Sequence, residues 1–239
     1  MFRLTLIIPT YNRSHELLRA LDSVAAQSLD PALWECIVVD NASTDNTAEA
    51  VARFAQEHPT LHIRRVYEPE AGVSHARNRG LREATTELIA SIDDDERINA
   101  DFLAAYLRFF DTHPEANVAG GKIIAEYPTG RPRWMSRFTE QPIANPMNYG
   151  ATVRLFPKGK IPGGGNMAFR REALVRVGIF DTSLGRTGKS GRRALVRLHA
   201  CSSCHFSISA KLPESNTSGT FHPLNSAGRV YTGGARRLS

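Results

Sequence analysis

The sequence predicts an α/β protein with a largely parallel sheet and helices on both of its faces. Three observations predict this. Short apolar runs alternate with stretches of helical periodicity through the N-terminal half. Polar, hydrogen-bonding residues collect just past the end of each run. The fourth run ends in three consecutive acids, Asp93-Asp94-Asp95. Alternating strands and helices favour a parallel sheet, and such sheets bind ligands beyond the carboxyl ends of their strands.

The elements follow in order. Leu4 to Ile8 is a short apolar run ended by Pro9, the first strand. Ser14 is expected to cap a helix whose apolar positions Leu17, Leu18, Leu21 and Val24 recur at helical spacing. Glu35 to Val39 is a second buried strand, ending in Asp40. Ser43 or Asp45 then caps a helix with Ala48, Val51, Ala52 and Ala55 on one face. Leu61 to Val66 alternates weakly as a third strand, and Ser74 opens a helix reaching about Ala84. Leu88 to Ile92 is the fourth strand. Phe102, Leu103, Tyr106, Leu107, Phe109 and Phe110 mark the face of a helix ended before Pro114, and Val118 to Ile124 reads as one strand. Tyr127 to Gly165 is rich in Pro, Gly and aromatic residues and reads as loops. Glu172 to Val177 is a short helix stopped at Gly178.

The acidic triplet carries the most chemistry. Adjacent carboxylates repel, so they require either solvent or a cation. Hard oxygen donors in a short array suit Mg²⁺ or Mn²⁺, which keep waters and substrate phosphates as further ligands. A solvated acidic turn is the alternative. Gly163-Gly164-Gly165 lets the backbone approach a ligand closely or simply makes a turn. Trp134 has the shape to stack on a sugar ring, or to pack.

Five segments, in this order, resemble the motifs of family 2 glycosyltransferases. They are Ile7 to Arg13, Val38 to Asp45, Gly72 to Gly80, Asp93 to Asp95 and Pro162 to Arg170. The resemblance covers about residues 1–190. It implies a GT-A fold, a nucleotide-diphospho-sugar donor, Mg²⁺ or Mn²⁺, and transfer to an acceptor hydroxyl with inversion. It places Pro9, Thr10 and Tyr11 at the nucleotide base and ribose, and Asp40 on a base N–H. Arg77 is implied at the base or diphosphate with charge assistance, Asp93 at the ribose or metal, Asp94 with the nucleotide, and Asp95 on the metal. Gly164, Gly165, Asn166 and Trp134 are implied on the acceptor side. The cation would neutralise charge on the departing diphosphate, and a nearby carboxylate would take the acceptor's proton. Residues 1–98 then form the donor half, 99–190 an incomplete acceptor half and 191–239 a tail. Each residue has a bland alternative: Tyr11 packs, Asp40 and Asp45 serve turns and caps, and Arg77 is solvated.

The chain departs from the family past Gly185-Arg186-Thr187-Gly188, where the resemblance implies an acidic pair opening a helix, one member being the general base. None is present. After Asp181 there are nine lysines and arginines against one acid, Glu214, so the net charge of +6 resides in the tail. A shifted reading frame near Ser190 is the favoured explanation, making residues 191–239 non-native and of low order; a divergent native tail is the alternative. The chain is then expected to bind donor and metal but to transfer slowly or not at all. A non-catalytic nucleotide-sugar-binding remnant, or a polyanion-binding protein, is the competing reading.

Other classes are weaker. Gly185 to Ser190 ends like a P-loop, but Ser183 stands where glycine is required. Cys201-Ser202-Ser203-Cys204-His205 matches a haem-attachment pattern with no export signal before it. With His199 these cysteines lack a second pair to complete a zinc site. No nucleic-acid partner is expected, because the basic residues lack aromatic interleaving. No signal-peptide pattern or membrane-length apolar run is present, so a cytoplasmic protein is expected. Its partners are the donor and a saccharide or lipid-linked acceptor, the latter compatible with peripheral contact at the inner face of the membrane.

Overall fold

Seven consecutive buried residues form the first strand, β1 (Leu4–Thr10), in a computed structural model that describes residues 1–127, 130–144, 146–149, 152–156, 162–182, 197–201 and 207–209. The chain continues through α1 (Ser14–Ala25), a 3₁₀ turn (Pro31–Leu33), β2 (Trp34–Asp40), α2 (Thr47–Glu57), β3 (Ile63–Tyr67), α3 (Val73–Glu83) and β4 (Leu88–Ser91). Then follow β5 (Glu96–Ile98), α4 (Phe102–Thr112), β6 (Val118–Gly120), β7 (Lys122–Glu126), α5 (Arg137–Ala144), β8 (Arg154–Leu155), β9 (Met167–Arg170) and α6 (Arg171–Val177). Two short strands, β10 (Arg197–Cys201) and β11 (Ser207–Ser209), come last.

The main sheet runs β3-β2-β1-β4-β9-β6-β11-β8. β1 pairs in parallel with both β2 and β4, while β9 is antiparallel to β4. The chain therefore moves outward from β1 to β3, then crosses back to β4 on the other side of β1. That reversal is a topological switch point, where open α/β sheets form their ligand crevice. A smaller sheet runs β5-β10-β7.

Period-two alternation in β1 divides the core between the two faces. Leu4, Leu6 and Ile8 join Leu17, Leu21 and Val24 of α1, Val51 and Phe54 of α2, and the aromatic face of α4. Ile7 faces the other way, into a cluster with Ala76 and Leu81 of α3, Ile89, Met167, Phe169 and Phe180. Helices thus cover both faces, as the alternation of elements predicts. Phe102, Leu103, Tyr106, Phe109 and Phe110 share one cluster with β1 and β2, so the core runs on past residue 98.

Several local expectations are corrected. Ser14 does not cap α1: Arg13 holds the N-cap position without a side-chain bond, and Ser14 Oγ donates to Asn46 Oδ1 at 2.6 Å instead. α2 begins after Asn46, and Asp45 Oδ1 accepts from the Thr47 N–H at 3.1 Å, one residue early. Its buried face is Thr47, Ala50, Val51 and Phe54, with Ala52 exposed. The large Phe54 ring removes more apolar surface from water than an alanine stripe and so sets the helix rotation. Val118 to Ile124 is two strands in two sheets, broken at Gly121. The Asn166 amide packs there, and a Cβ on Gly121 would lie 2.6 Å from Nδ2. Part of the loop region is the helix α5. In the tail, β10 lies between β5 and β7 and β11 between β6 and β8. The rest of 183–239, including the P-loop-like Lys189-Ser190, Cys204 and most of the proposed frame shift, lies outside the described residues.

Candidate functional site

The carboxyl ends of β1, β2 and β4 come level at the switch point. Thr10 pairs with Asp40 across β1 and β2, and Ile7 pairs with Ser91 across β1 and β4. The acidic triplet therefore emerges beside Thr10. Thr10 Oγ1 donates to Asp94 Oδ2 at 2.7 Å. Arg13 forks across two acids, with Nη1 on Asp94 at 2.8 Å and Nη2 on Asp95 at 2.9 Å. Arg77, only 3% exposed, places Nη2 2.8 Å from Asp93 Oδ1. Two guanidinium groups thus offset part of the charge of the three acids.

The surrounding loops are tied to each other. Asn12 adopts a left-handed conformation with φ 51°, which asparagine tolerates better than most residues. Its Oδ1 accepts from the Thr44 N–H at 2.6 Å and the Asp45 N–H at 3.2 Å. Asn41 Oδ1 accepts from the Gly72 N–H at 2.7 Å, while its Nδ2 donates to the Glu68 and Glu70 carbonyls at 3.1 and 2.6 Å. The loops after β1, β2 and β3 form one hydrogen-bonded rim.

Burial shifts the acids. Asp94 is pushed up to about 7, first by burial and further by Asp95, against the opposing pull of Arg13 and Thr10. Burial also raises Asp95, against Arg13. Burial works against the Arg13 cation too, but Asp94 and Asp95 outweigh it and hold it charged. Glu96 is fully buried, and burial, then Asp93 and Asp95, raise it well above the carboxylate range.

The residues fit a divalent cation. The Asp93 and Asp95 side chains are 36% and 18% exposed, and each gives one oxygen to an arginine. Among the described residues no three acidic, His or Cys side chains converge as a ready-made metal site. Two carboxylates on a rim suit Mg²⁺, which takes one or two protein carboxylates with waters and phosphates completing its shell. Cys36 is unsuited to zinc, because burial in β2 raises its thiol far above the usual range.

The remaining sequence-derived candidates are placed unevenly. Tyr11 is exposed and Pro9 is a buried residue of β1. Asp40 is buried; Oδ1 accepts from the Ser43 N–H at 3.0 Å and Oδ2 from Arg65 Nη1 at 2.7 Å. Trp134 is 67% exposed, so it is free of the core. Asn166 is buried, with Oδ1 accepting from Tyr106 Oη at 2.5 Å and Nδ2 donating to the Lys122 carbonyl at 3.0 Å. It fastens β7 to the glycine loop. Gly164 lies directly on Arg77: a Cβ there would come 2.5 Å from Nη2. Arg77 Nε and Nη1 find no hydrogen-bond partner among the described residues, and the guanidinium sits 5.6 Å from the Phe180 ring centroid. In this state Arg77 reaches the rim through Asp93.

Arg13, Arg65, Glu96 and Asn78 are the residues that sequence reasoning left without a role. Arg13 had a signal, a cation ending the first rim segment opposite an acidic triplet. Asn78 had none, because its partner is 102 positions away. Its Nδ2 donates to the Phe180 carbonyl at 2.7 Å and its Oδ1 accepts from the Phe180 N–H at 2.8 Å, both buried. Asn78→Ala orphans both groups at about 1–3 kcal/mol each. A loss of roughly 2–6 kcal/mol is expected in urea denaturation; Asn78→Asp, which turns a buried carboxylate oxygen onto the Phe180 carbonyl, is expected to destabilise as well.

The family described as Glycosyl transferase family 2 matches residues 5–178. The succinoglycan biosynthesis protein ExoM of Rhizobium meliloti (strain 1021) is 32% identical over 194 residues, 80% of this chain and 59% of that protein. The uncharacterized glycosyltransferase YibD of Escherichia coli (strain K12) is 33% identical over 99 residues, 40% of this chain and 27% of that protein. Among solved structures, the mannosyltransferase PcManGT from Pyrobaculum calidifontis, in complex with GDP-Man and Mn²⁺, is similar with a TM-score of 0.57 and 33% identity, covering 76% of this chain and 48% of that one. S. aureus TarS 1–349 has a TM-score of 0.58 at 18% identity over 87% of this chain and 60% of that one, a likeness of fold alone. The chain spans 27% to 59% of the length of these two relatives. No helix among the described residues is long and apolar enough to cross a membrane.

Proposed function

The chain belongs to glycosyl transferase family 2 and has the GT-A fold, and from that premise we propose that its rim binds a nucleotide-diphospho-sugar with Mg²⁺ or Mn²⁺ for inverting transfer to an acceptor hydroxyl. One observation carries the reading: Thr10, Asp40 and the acidic triplet converge at the switch point with Arg13 and Arg77 as counter-charges. A solved relative in complex with GDP-Man and Mn²⁺ supports the choice of ligands.

In this reading the exposed Tyr11 and the Pro9-Thr10 strand end receive the base and ribose. Asp40 accepts a base N–H while Arg65 holds its other oxygen. Asp93 and Asp95 hold the cation, Asp94 anchors Arg13 and Thr10 beneath them, and Arg77 fixes Asp93. A bound cation would supply neutralisation of the charge that develops on the departing diphosphate. Gly164 and Gly165 form the wall facing the acceptor, with Asn166 fastening it and Trp134 offering a ring face to a sugar. Residues 1–98 supply the donor contacts and 99–190 those of a saccharide or lipid-linked acceptor. A cytoplasmic location, with peripheral contact at the inner membrane face, belongs to the same proposal.

A second reading rests on a specific observation. The sequence past Gly188 holds one acid, Glu214, and no acidic pair to take the acceptor's proton. The chain is then a donor-binding protein with impaired transfer. Nucleotide release from UDP- and GDP-sugars, measured with and without saccharide acceptors, separates the two. Acceptor-dependent release supports transferase activity in this chain. Binding without release supports the impaired form.

A further inference from the structure

Glu96 has no part in the reading above, yet it is the most enclosed acid beside the triplet. Its exposure is zero. Oε2 accepts from the Asp93 N–H at 3.1 Å, and its own N–H donates to the Asp93 carbonyl at 3.2 Å. Glu96 thus holds Asp93 by both of its peptide groups, while Arg77 holds the Asp93 carboxylate. Oε1 has no hydrogen-bond partner among the described residues. It lies against the Gly165 backbone, where a Cβ would sit 1.9 Å away. Gly164 presses on Arg77 in the same manner, at 2.5 Å. The two partners of Asp93 are therefore both backed by adjacent glycines of a distant loop. A carboxyl buried against two other carboxylates costs free energy, so stability alone does not account for this choice of side chain.

We propose that Glu96 is a positioning residue, which with the Gly164-Gly165 backbone behind it fixes where Asp93 presents its carboxylate to a cation. This rests on the donor-site reading of the rim. The reach of the side chain and its acceptor oxygen do the positioning; its charge does not.

Two variants separate these properties. Glu96→Gln keeps reach and an acceptor and removes the ionisable group. Glu96→Asp keeps the carboxyl and loses the reach. The readout is Mn²⁺ affinity of the full chain, from the electron paramagnetic resonance signal of free Mn²⁺, with thermal melts confirming folding. Wild-type affinity is expected to persist in Glu96→Gln and to fall in Glu96→Asp by roughly 10–100-fold, the usual cost of losing an outer partner of a metal ligand. The reverse pattern, or wild-type affinity in both, overturns the proposal and leaves the donor-site reading standing. If Glu96→Asp does not fold, Glu96→Met fills the space without an acceptor and carries the same expectation; undiminished affinity there overturns the proposal. A wild-type chain that binds Mn²⁺ neither alone nor with UDP or GDP present overturns the donor-site reading, and this proposal with it.

Discussion

Asp95→Ala is expected to abolish metal-dependent binding of a nucleoside diphosphate, a loss of at least roughly 100-fold, since changes one shell further out already cost 10–100-fold. Asp95 gives one oxygen to Arg13 and stands partly exposed on the rim. The same substitution frees one arm of Arg13, whose other arm stays on the buried Asp94. The fold is therefore expected to survive with little change in its melting temperature, because a partly exposed ion pair contributes about 1 kcal/mol or less. Calorimetric titration with UDP and GDP in the presence of Mn²⁺ reads the affinity. Undiminished binding would remove Asp95 from the proposed cation site.

Gly165→Ala is the second large effect. The new methyl would stand 1.9 Å from Glu96 Oε1 and 2.4 Å from its Cδ. Glu96 cannot swing aside without moving Asp93, because it is fully buried and bonded to it. Overpacking of this kind costs about 1–3 kcal/mol, and the displaced carboxylate takes the Asp93 backbone with it. Both urea stability and Mn²⁺ affinity are expected to fall. Gly178 is the contrasting case: nothing lies within 4 Å of its Cβ position, and its φ of 79° is what demands glycine there. A Gly165→Ala protein with wild-type stability would show that the loop yields, and that the close packing is not what holds Asp93.

Much of the fold and the rim is legible in the sequence, for a local reason. β1, β2 and β4 declare themselves as short apolar runs, β3 by weak alternation and the helices up to residue 112 by apolar spacing, while the short β5 (Glu96–Ile98) gives no such signal; the rim follows from topology once the sheet is parallel. The acidic triplet is contiguous, so its place at the end of the fourth strand can be read from the residue order alone. What escapes depends on long-range contact. Arg13 and Asp94 are 81 positions apart, and Asn78 and Phe180 are 102 apart. No periodicity encodes such pairs. Gly121 looks like a strand residue because apolar Val118-Ala119 and Ile123-Ile124 flank it, and the Asn166 amide packed against it accounts for the break. Helix caps fail for a related reason. Ser14 and Asp45 are good capping residues by type, but across the rim they serve each other's loops, with the Ser14 N–H donating to Asp45 Oδ2 at 3.1 Å.

The rim at the β1–β4 switch point is proposed to be a donor site requiring a divalent cation. The most direct test is calorimetric titration of the metal-free chain with UDP and with GDP, each repeated after adding Mn²⁺. Saturable binding of one nucleotide that appears only with Mn²⁺, and disappears on chelation, is the predicted result. Equal binding with and without the cation would contradict the role given to Asp93 and Asp95, and no binding of either nucleotide would contradict the site itself.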